Sequence, residues 1–432
     1  MAIFPNAVKN ILPILGWVIL GSVLLFSLGI DLLHTTQSGA VDFRNRITGA
    51  RLLAHGIDAY HYKWHEGDPP EYCDLRNIIP SLPVSKTTVT PAVLVLELPP
   101  AALPYRTAQF VWLFGQWILL LGIGWLWMRE CPGAQLRWLI ALFLTSFTFT
   151  VPWRWHAERG QEYIVPAFLF ACWLMATLDA KRSRDFLAGF IAGFLVALRP
   201  PFALLLPFIA LHRRRQWPGV MSGVLIGFGL PLLFRPGIWG DYFSAMRTYS
   251  DVYREGLSPQ RVALPYPPTI EGVPSDVLGH MYPFRSGDFS VHGLLLWLGL
   301  EPVPAGPLLV LVGAIFLFWL WLWREKPLKE LLPGLAAWFF IVDLFLPAFR
   351  YDYHDVFILN VVFAGIVAAN RFPWAAWPCA LALPISWTLY VFQPTDRWVI
   401  NLPAFFFTVG AIVALFPGAT NFRSGAGDFR NR

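Results

Sequence analysis

The sequence predicts an all-α, polytopic membrane protein of about 11–12 transmembrane helices, with interfacial helices and two long loops on the non-cytoplasmic side. Three observations predict it. The chain is 56% hydrophobic and 14% charged, whereas soluble domains run near half apolar and about a quarter charged. Apolar runs approaching the roughly 20 residues that cross a hydrocarbon core recur along its whole length. The basic residues behind the formal charge of +6 are dispersed among the short segments between those runs. They form no continuous stripe, so nucleic acid is not an expected partner, and membrane orientation explains the charge better.

The first run, Ile11 to Ile30, precedes Ser38-Gly39-Ala40, a small-residue triplet like that at a signal-peptidase site. The run exceeds the 7–15 residues typical of a signal sequence, and polar residues separate it from the triplet, so it is expected to persist as the first membrane helix. Residues 31–104 form the first outer loop. Within it, VDFRNRITGARLLAHGIDAY sets Phe43, Ile47, Ala50, Leu53 and Ala54 at helical spacing, with Arg44, Arg46 and Arg51 on other faces. That pattern predicts an interfacial helix lying on the outer leaflet. Thr90 to Tyr105 is apolar but short, carries Glu97 and is rich in proline, which predicts an interfacial or re-entrant segment.

Further spans are expected at 107–127, 136–152, 163–179, 186–211, 217–234, 306–323, 332–349, 354–370, 374–392 and 400–416. The run 186–211 contains Arg199-Pro200-Pro201, and proline breaks the helical ladder, so two short helices are expected to meet there. Residues 236–305 form the second outer loop, rich in Pro, Tyr and Gly. With the N-terminus inside, the short cytoplasmic segments around 129–137, 179–185, 213–215, 324–330 and 371 hold twelve Lys/Arg against five Asp/Glu, as the positive-inside rule requires. Cys73, Cys131, Cys172 and Cys379 are not placed to pair and are expected to be inert thiols. No internal repeat or appended soluble domain is visible, so residues 1–432 read as a single membrane domain.

Several polar groups collect on the outer side. Asp42 opens the interfacial helix. A carboxylate beside apolar surface has its charged form disfavoured, and the added basicity suits a general base; the alternatives are a helix N-cap or an ion pair with Arg46 at i+4. Arg199 stands in the apolar context LVALRPPFALL, where an arginine serves a pathway, a pair or a ligand, or snorkels to the interface. The cluster Arg350-Tyr351-Asp352-Tyr353-His354-Asp355 mixes donors and carboxylates: a phosphate or sugar site, a divalent-metal site, or aromatic anchoring and capping. The loop from Arg154 to Glu162 packs charge and amide groups between two spans. Asp396 and Arg397 are expected to pair, and His280 and His292 to lie on the surface.

Four stretches, in order, resemble glycosyltransferase family 87, membrane enzymes of the GT-C superfamily. These are VDFRNRITGARLLAHGIDAYHY with its Gly56-to-Tyr60 ending, TPAVLVLELPPAALPYRTAQFVW, the span-opening Gly160-Gln161, and AGFIAGFLVALRPPFALLLPFIALHRRR. The family commonly shows lysine before proline where this chain has Arg199, a difference in donor geometry. The resemblance implies a GT-C-like fold and an inverting glycosyltransferase of the cell envelope. It would draw a sugar, with mannose the family's best-known case, from a polyprenyl-phosphate donor and place it on a lipid or glycan hydroxyl among membrane lipids. The resemblance makes Asp42 the catalytic base. Arg199, His354 and Arg350 are the candidates for the donor phosphate, and Tyr60, Gln161, Arg44 and Tyr351 for substrate contacts. A monophosphate leaving group can be met by cationic side chains, so no metal or other cofactor is expected. The expected location is a multi-pass cell membrane, a bacterial inner membrane, with the site on its non-cytoplasmic face. The rival from another class is a transporter or flippase of a lipid-linked glycan, which would show repeats and polar groups near the midplane.

Overall fold

The computed structural model describes residues 6–368 apart from 75–76, 79–83, 86, 180–181, 255–289, 291–294, 296–299, 301–304 and 346–349. The expected spans 374–392 and 400–416, the residues Asp396 and Arg397, and most of the second outer loop with His280 and His292 lie outside the described residues. Within them the protein is all-helical. Helix α1 (Asn6–Ser38) is followed by α2 (Val41–Ala54), two short helices α3 (Pro91–Leu96) and α4 (Leu98–Ala101), and the long α5 (Tyr105–Glu130). Then come α6 (Ala134–Phe147), α7 (Val151–Arg159), α8 (Ile164–Leu178) and α9 (Arg182–Leu198). A 3-10 turn over Pro200–Leu204 leads into α10 (Leu205–His212), followed by α11 (Trp217–Gly229) and α12 (Ile238–Arg254). Helices α13 (Ala305–Leu322), α14 (Leu328–Leu344) and α15 (Ile358–Ala368) complete the set, with a 3-10 turn at Asp352–Phe357 before α15.

Three segments are long and apolar enough to cross a membrane, Pro13–Gln37, Tyr105–Glu130 and Arg214–Leu233, with a fourth if α6 and α7, bent by 61°, count as one span. Several other expected spans are shorter apolar helices, among them Ile164–Leu178 and Gly306–Leu322. At Arg199-Pro200-Pro201 the expected break is present: α9 ends at Leu198 and a 3-10 turn replaces the helix, because proline lacks the N–H that would continue the ladder. Ile14, Val18, Leu25 and Phe26 of α1 and Ile118 and Trp125 of α5 are exposed, as side chains facing lipid are.

The main core joins α5, α6, α8, α9, α14 and α15 through residues such as Trp127, Phe143, Trp173, Phe202, Phe339 and Phe363. Helices α9 and α11 meet backbone to backbone. A β-carbon at Gly193 would lie 2.1 Å from the Val220 carbonyl oxygen, and one at Gly223 2.1 Å from that of Phe190. Small residues four apart allow this approach, the usual route to tight helix pairing where lipid tails leave no hydrophobic drive between helices. A second cluster, Leu52, Leu53, Tyr60, Tyr72, Leu94, Ile238 and Ala245, ties the first outer loop to the start of the second.

Helix α2 forms where the periodicity predicts it, yet it is enclosed by protein rather than lying with one face on lipid. Asp42 through Ala50, Leu52 and Leu53 are all buried. Each of its arginines has found polar partners from other segments, which offset the cost of burying a charge. Arg44 donates to the carbonyls of Cys73 (3.1 Å) and Pro70 (3.3 Å) and stacks 4.8 Å above the Tyr105 ring. Arg51 donates to the carbonyls of Ala101 and Leu103, both at 3.0 Å.

Candidate active site

The turn between α1 and α2 passes through Gly39 (φ 73°) and Ala40 (φ 48°). Left-handed backbone is costly at Ala40 because its β-carbon crowds the following carbonyl. The Tyr105 hydroxyl holds the turn by reaching the carbonyls of Gly39 (2.7 Å) and Ala40 (3.0 Å). Two residues on, Asp42 emerges in the first turn of α2. Ala40 occupies the cap position and no side chain caps the helix. Asp42 instead faces the end of α7: the Gln161 amide donates to its Oδ2 at 2.6 Å and Arg159 Nη1 lies 3.2 Å from the same oxygen.

Gly160 makes that meeting possible. It ends α7 with φ 66°, and a β-carbon there would sit 2.7 Å from Phe43 Cβ, so only glycine lets the α7–α8 turn close on α2. The Gly160 carbonyl accepts from Trp112 Nε1 at 2.9 Å and from Arg46. Arg46 also pairs with Glu97 (2.7 Å) and Glu162 (3.1 Å), so the arginine that spacing offered to Asp42 serves two further carboxylates. Burial outweighs the attraction of Arg46 and raises the Glu97 carboxyl to about 7.

Helix α7 is braced at its other end. Arg154 donates to Asp31 of α1 and to Ser27, while the indoles of Trp117 (3.0 Å) and Trp153 (2.9 Å) donate to Asp31 Oδ2. His156 is fully buried and stacked on Trp153. Its Nε2 accepts the Ile164 N–H at 3.2 Å, a structural bond at the start of α8.

A cationic group lies alongside. Arg199 donates to Asp343 near the end of α14, and its guanidinium sits over the rings of Tyr163 (4.7 Å) and Phe357 (5.1 Å). The second oxygen of Asp343 takes Arg350 Nε at 2.9 Å and stands 3.6 Å from His354 Nδ1. Arg350 also pairs with Asp355. The His354 ring packs 4.1 Å from Tyr163, and Tyr353 stacks between Tyr163 (5.8 Å) and Tyr351 (5.1 Å). Helix α7, which carries Arg159, the partner of Asp42, packs against the 3-10 turn Asp352–Phe357 that carries Tyr353 and His354, so the two groups adjoin.

Asp42, Gln161, Tyr351, His354, Arg199 and Arg350, far apart in sequence, are therefore gathered into one polar region with Arg159, Tyr163 and Asp343. Arg44 and Tyr60 stand in the packing of the first outer loop: the Tyr60 hydroxyl donates to the Val89 carbonyl at 2.9 Å and its ring meets Tyr242 edge-on. Asp343 is the residue that sequence reasoning missed. A lone carboxylate at the end of an apolar run was the available signal, since such a group demands a partner.

The sequence model of glycosyltransferase family 87 matches residues 88–347, well over half of the chain. The matched stretch includes Gly160-Gln161, Arg199 and Asp343, while Asp42 and His354 flank it. No curated protein and no solved structure matches this chain.

Proposed function

Because the chain belongs to glycosyltransferase family 87, we propose that it is an inverting enzyme moving a sugar from a polyprenyl-phosphate donor to a lipid or glycan hydroxyl. The observation that carries this reading is a buried carboxylate, Asp42, fixed by Gln161 and Arg159 beside the cationic and aromatic group of Arg199, His354 and Tyr163. Asp42 takes the proton of the acceptor hydroxyl. The hydroxyl oxygen attacks the anomeric carbon from the face opposite the phosphate, the bond from that carbon to the phosphate oxygen breaks, and its electron pair leaves with the lipid phosphate. Arg199 and His354 donate hydrogen bonds to the departing oxygens, which stabilises charge where it develops. A lipid monophosphate needs no metal under this scheme, and the half-buried Tyr351 offers a ring for a sugar to stack on.

The positive-inside asymmetry supports a site on the non-cytoplasmic face of a bacterial inner membrane, where donor and acceptor reach the region from the lipid phase. Mannose, another hexose and a pentose are all compatible with this chemistry. The test is transfer by purified protein in nanodiscs, with radiolabelled polyprenyl-phosphate sugars and lipid acceptors, compared with Asp42→Asn. Loss of a general base costs about 10²- to 10⁴-fold, and undiminished transfer removes Asp42 from the mechanism. Strong inhibition by a chelator, reversed by a divalent ion, contradicts the metal-free scheme.

A further inference from the structure

We infer that Asp343 is a positioning residue that aims Arg199 at the donor phosphate, an inference that rests on the lipid-phosphate reading above. Two donors converge on this one carboxylate, Arg199 on one oxygen and Arg350 on the other, and His354 Nδ1 stands nearby at 3.6 Å. The two arginines differ in what they can reach. Arg350 is 1% exposed and lies between Asp343 and Asp355, so its charge is spent inside the protein. Arg199 is 16% exposed at its side chain and commits one terminal nitrogen to Asp343. A guanidinium has five donors in a planar fork, so others remain for a ligand. Arg350 therefore holds Asp343, and Asp343 holds Arg199.

The need for such a device follows from the side chain. An ammonium is a point charge on a flexible stem and accepts any approach, whereas a guanidinium binds phosphate well only when its plane is correctly turned. Arg199 emerges at the break before Pro200 and Pro201, where its N–H is held by the Leu195 carbonyl at 2.8 Å; this fixes where the long side chain starts and leaves the turn of its plane to the groups around it. Asp343 fixes one edge of the plane, and Tyr163 and Phe357 cover its face at 4.7 and 5.1 Å. The carboxylate also cancels part of the local positive charge, so its effect on an anion is favourable only if aiming outweighs that cancellation.

The experiment measures binding of undecaprenyl monophosphate to the full-length protein in nanodiscs, with undecaprenol as the control lacking phosphate. Asp343→Asn is expected to weaken undecaprenyl phosphate binding at least tenfold and to leave undecaprenol unchanged. Arg199→Gln is expected to do the same, and the double variant to bind no worse than Arg199→Gln alone. Unchanged or tighter phosphate binding by a monodisperse Asp343→Asn protein overturns the positioning role, as does an additive loss in the double variant. Where Asp343→Asn fails to fold, Asp343→Glu keeps the charge but displaces Arg199: weakened phosphate binding supports the inference, and wild-type binding overturns it. Failure of the unmodified protein to bind undecaprenyl phosphate over undecaprenol overturns the donor reading itself and the inference with it. Asp42→Asn is expected to lose transfer while binding the phosphate normally, which separates the two roles.

Discussion

Replacing Gly160 by alanine tests whether the α7–α8 turn sets the geometry at Asp42. Two costs add at this position. A residue with a β-carbon pays about 1–2 kcal/mol to adopt left-handed backbone, here φ 66°. The new methyl would also stand 2.7 Å from Phe43 Cβ and 3.3 Å from Ala40 Cβ, and forcing an extra carbon into a packed site costs typically about 1–3 kcal/mol. The expected destabilisation is thus about 2–5 kcal/mol. Gly56 supplies the control: it has nearly the same backbone, φ 71°, but the closest atom a methyl would meet is the Phe234 carbonyl oxygen at 3.6 Å. Gly56→Ala should pay the backbone cost alone, about 1–2 kcal/mol. Phe43 adjoins Asp42 and Gly160 adjoins Gln161, so any relief of the clash must stretch the 2.6 Å bond between those two. The assay is thermal unfolding of both variants in one detergent, followed by transfer rates at a temperature where both remain folded. Equal destabilisation of the two variants, or full transfer by Gly160→Ala, refutes the reasoning.

Other expected outcomes follow from single contacts. Gln161→Leu removes a donor from a buried carboxylate, a loss of about 1.5–3 kcal/mol for a charged hydrogen bond, so kcat should fall about ten- to a hundredfold while donor KM stays near normal; a pure KM effect would argue that Gln161 touches the donor. Glu97 faces Arg46 and Glu162 and has a folded-state pKa raised from 4.5 to about 7, so the folded protein holds this proton more tightly than the unfolded chain. Its contribution of up to about 3 kcal/mol is present below pH 4.5 and is lost as pH rises through 7; Glu97→Gln should flatten that part of the stability–pH curve, and an unchanged curve assigns the slope elsewhere. Gly193→Ala must separate α9 from α11, whereas Gly115→Ala meets nothing within 4 Å and gains helix propensity of up to about 1 kcal/mol. Melting temperatures should move in opposite directions.

What was legible in the sequence is what short-range physics decides. The helix over residues 41–54 follows from spacing, and the break at Arg199 follows from two prolines that cannot continue a helix wherever they stand. The surroundings of α2 were not legible, because its arginines are satisfied from residues 70, 73, 97, 101, 103, 160 and 162. An amphipathic pattern says which face is apolar and is silent on whether the polar face meets water or buried partners. Span position was legible as well: the run 163–179 is helix α8, Ile164–Leu178, because an apolar stretch and its polar ends are local properties of the sequence. Asp343 stayed hidden because its partner Arg199 lies 144 residues away, and no local pattern encodes that distance.

The candidate site depends on α7 more than on any residue that sequence alone nominated. Its first turns are held to α1 by Arg154 through Asp31 and Ser27, and its end carries Arg159, Gly160 and Gln161 to Asp42. Two residues past Gln161, Tyr163 stacks against His354 and under Arg199. One short helix, turned 61° from the one before it, thus fixes Asp42, the proposed base, at its exit and the cationic group just beyond. A continuous span through this region would carry Arg159 and Gln161 away from α2. Under the proposed scheme the bend serves the chemistry, and substitutions that straighten it should lose transfer before they lose the fold.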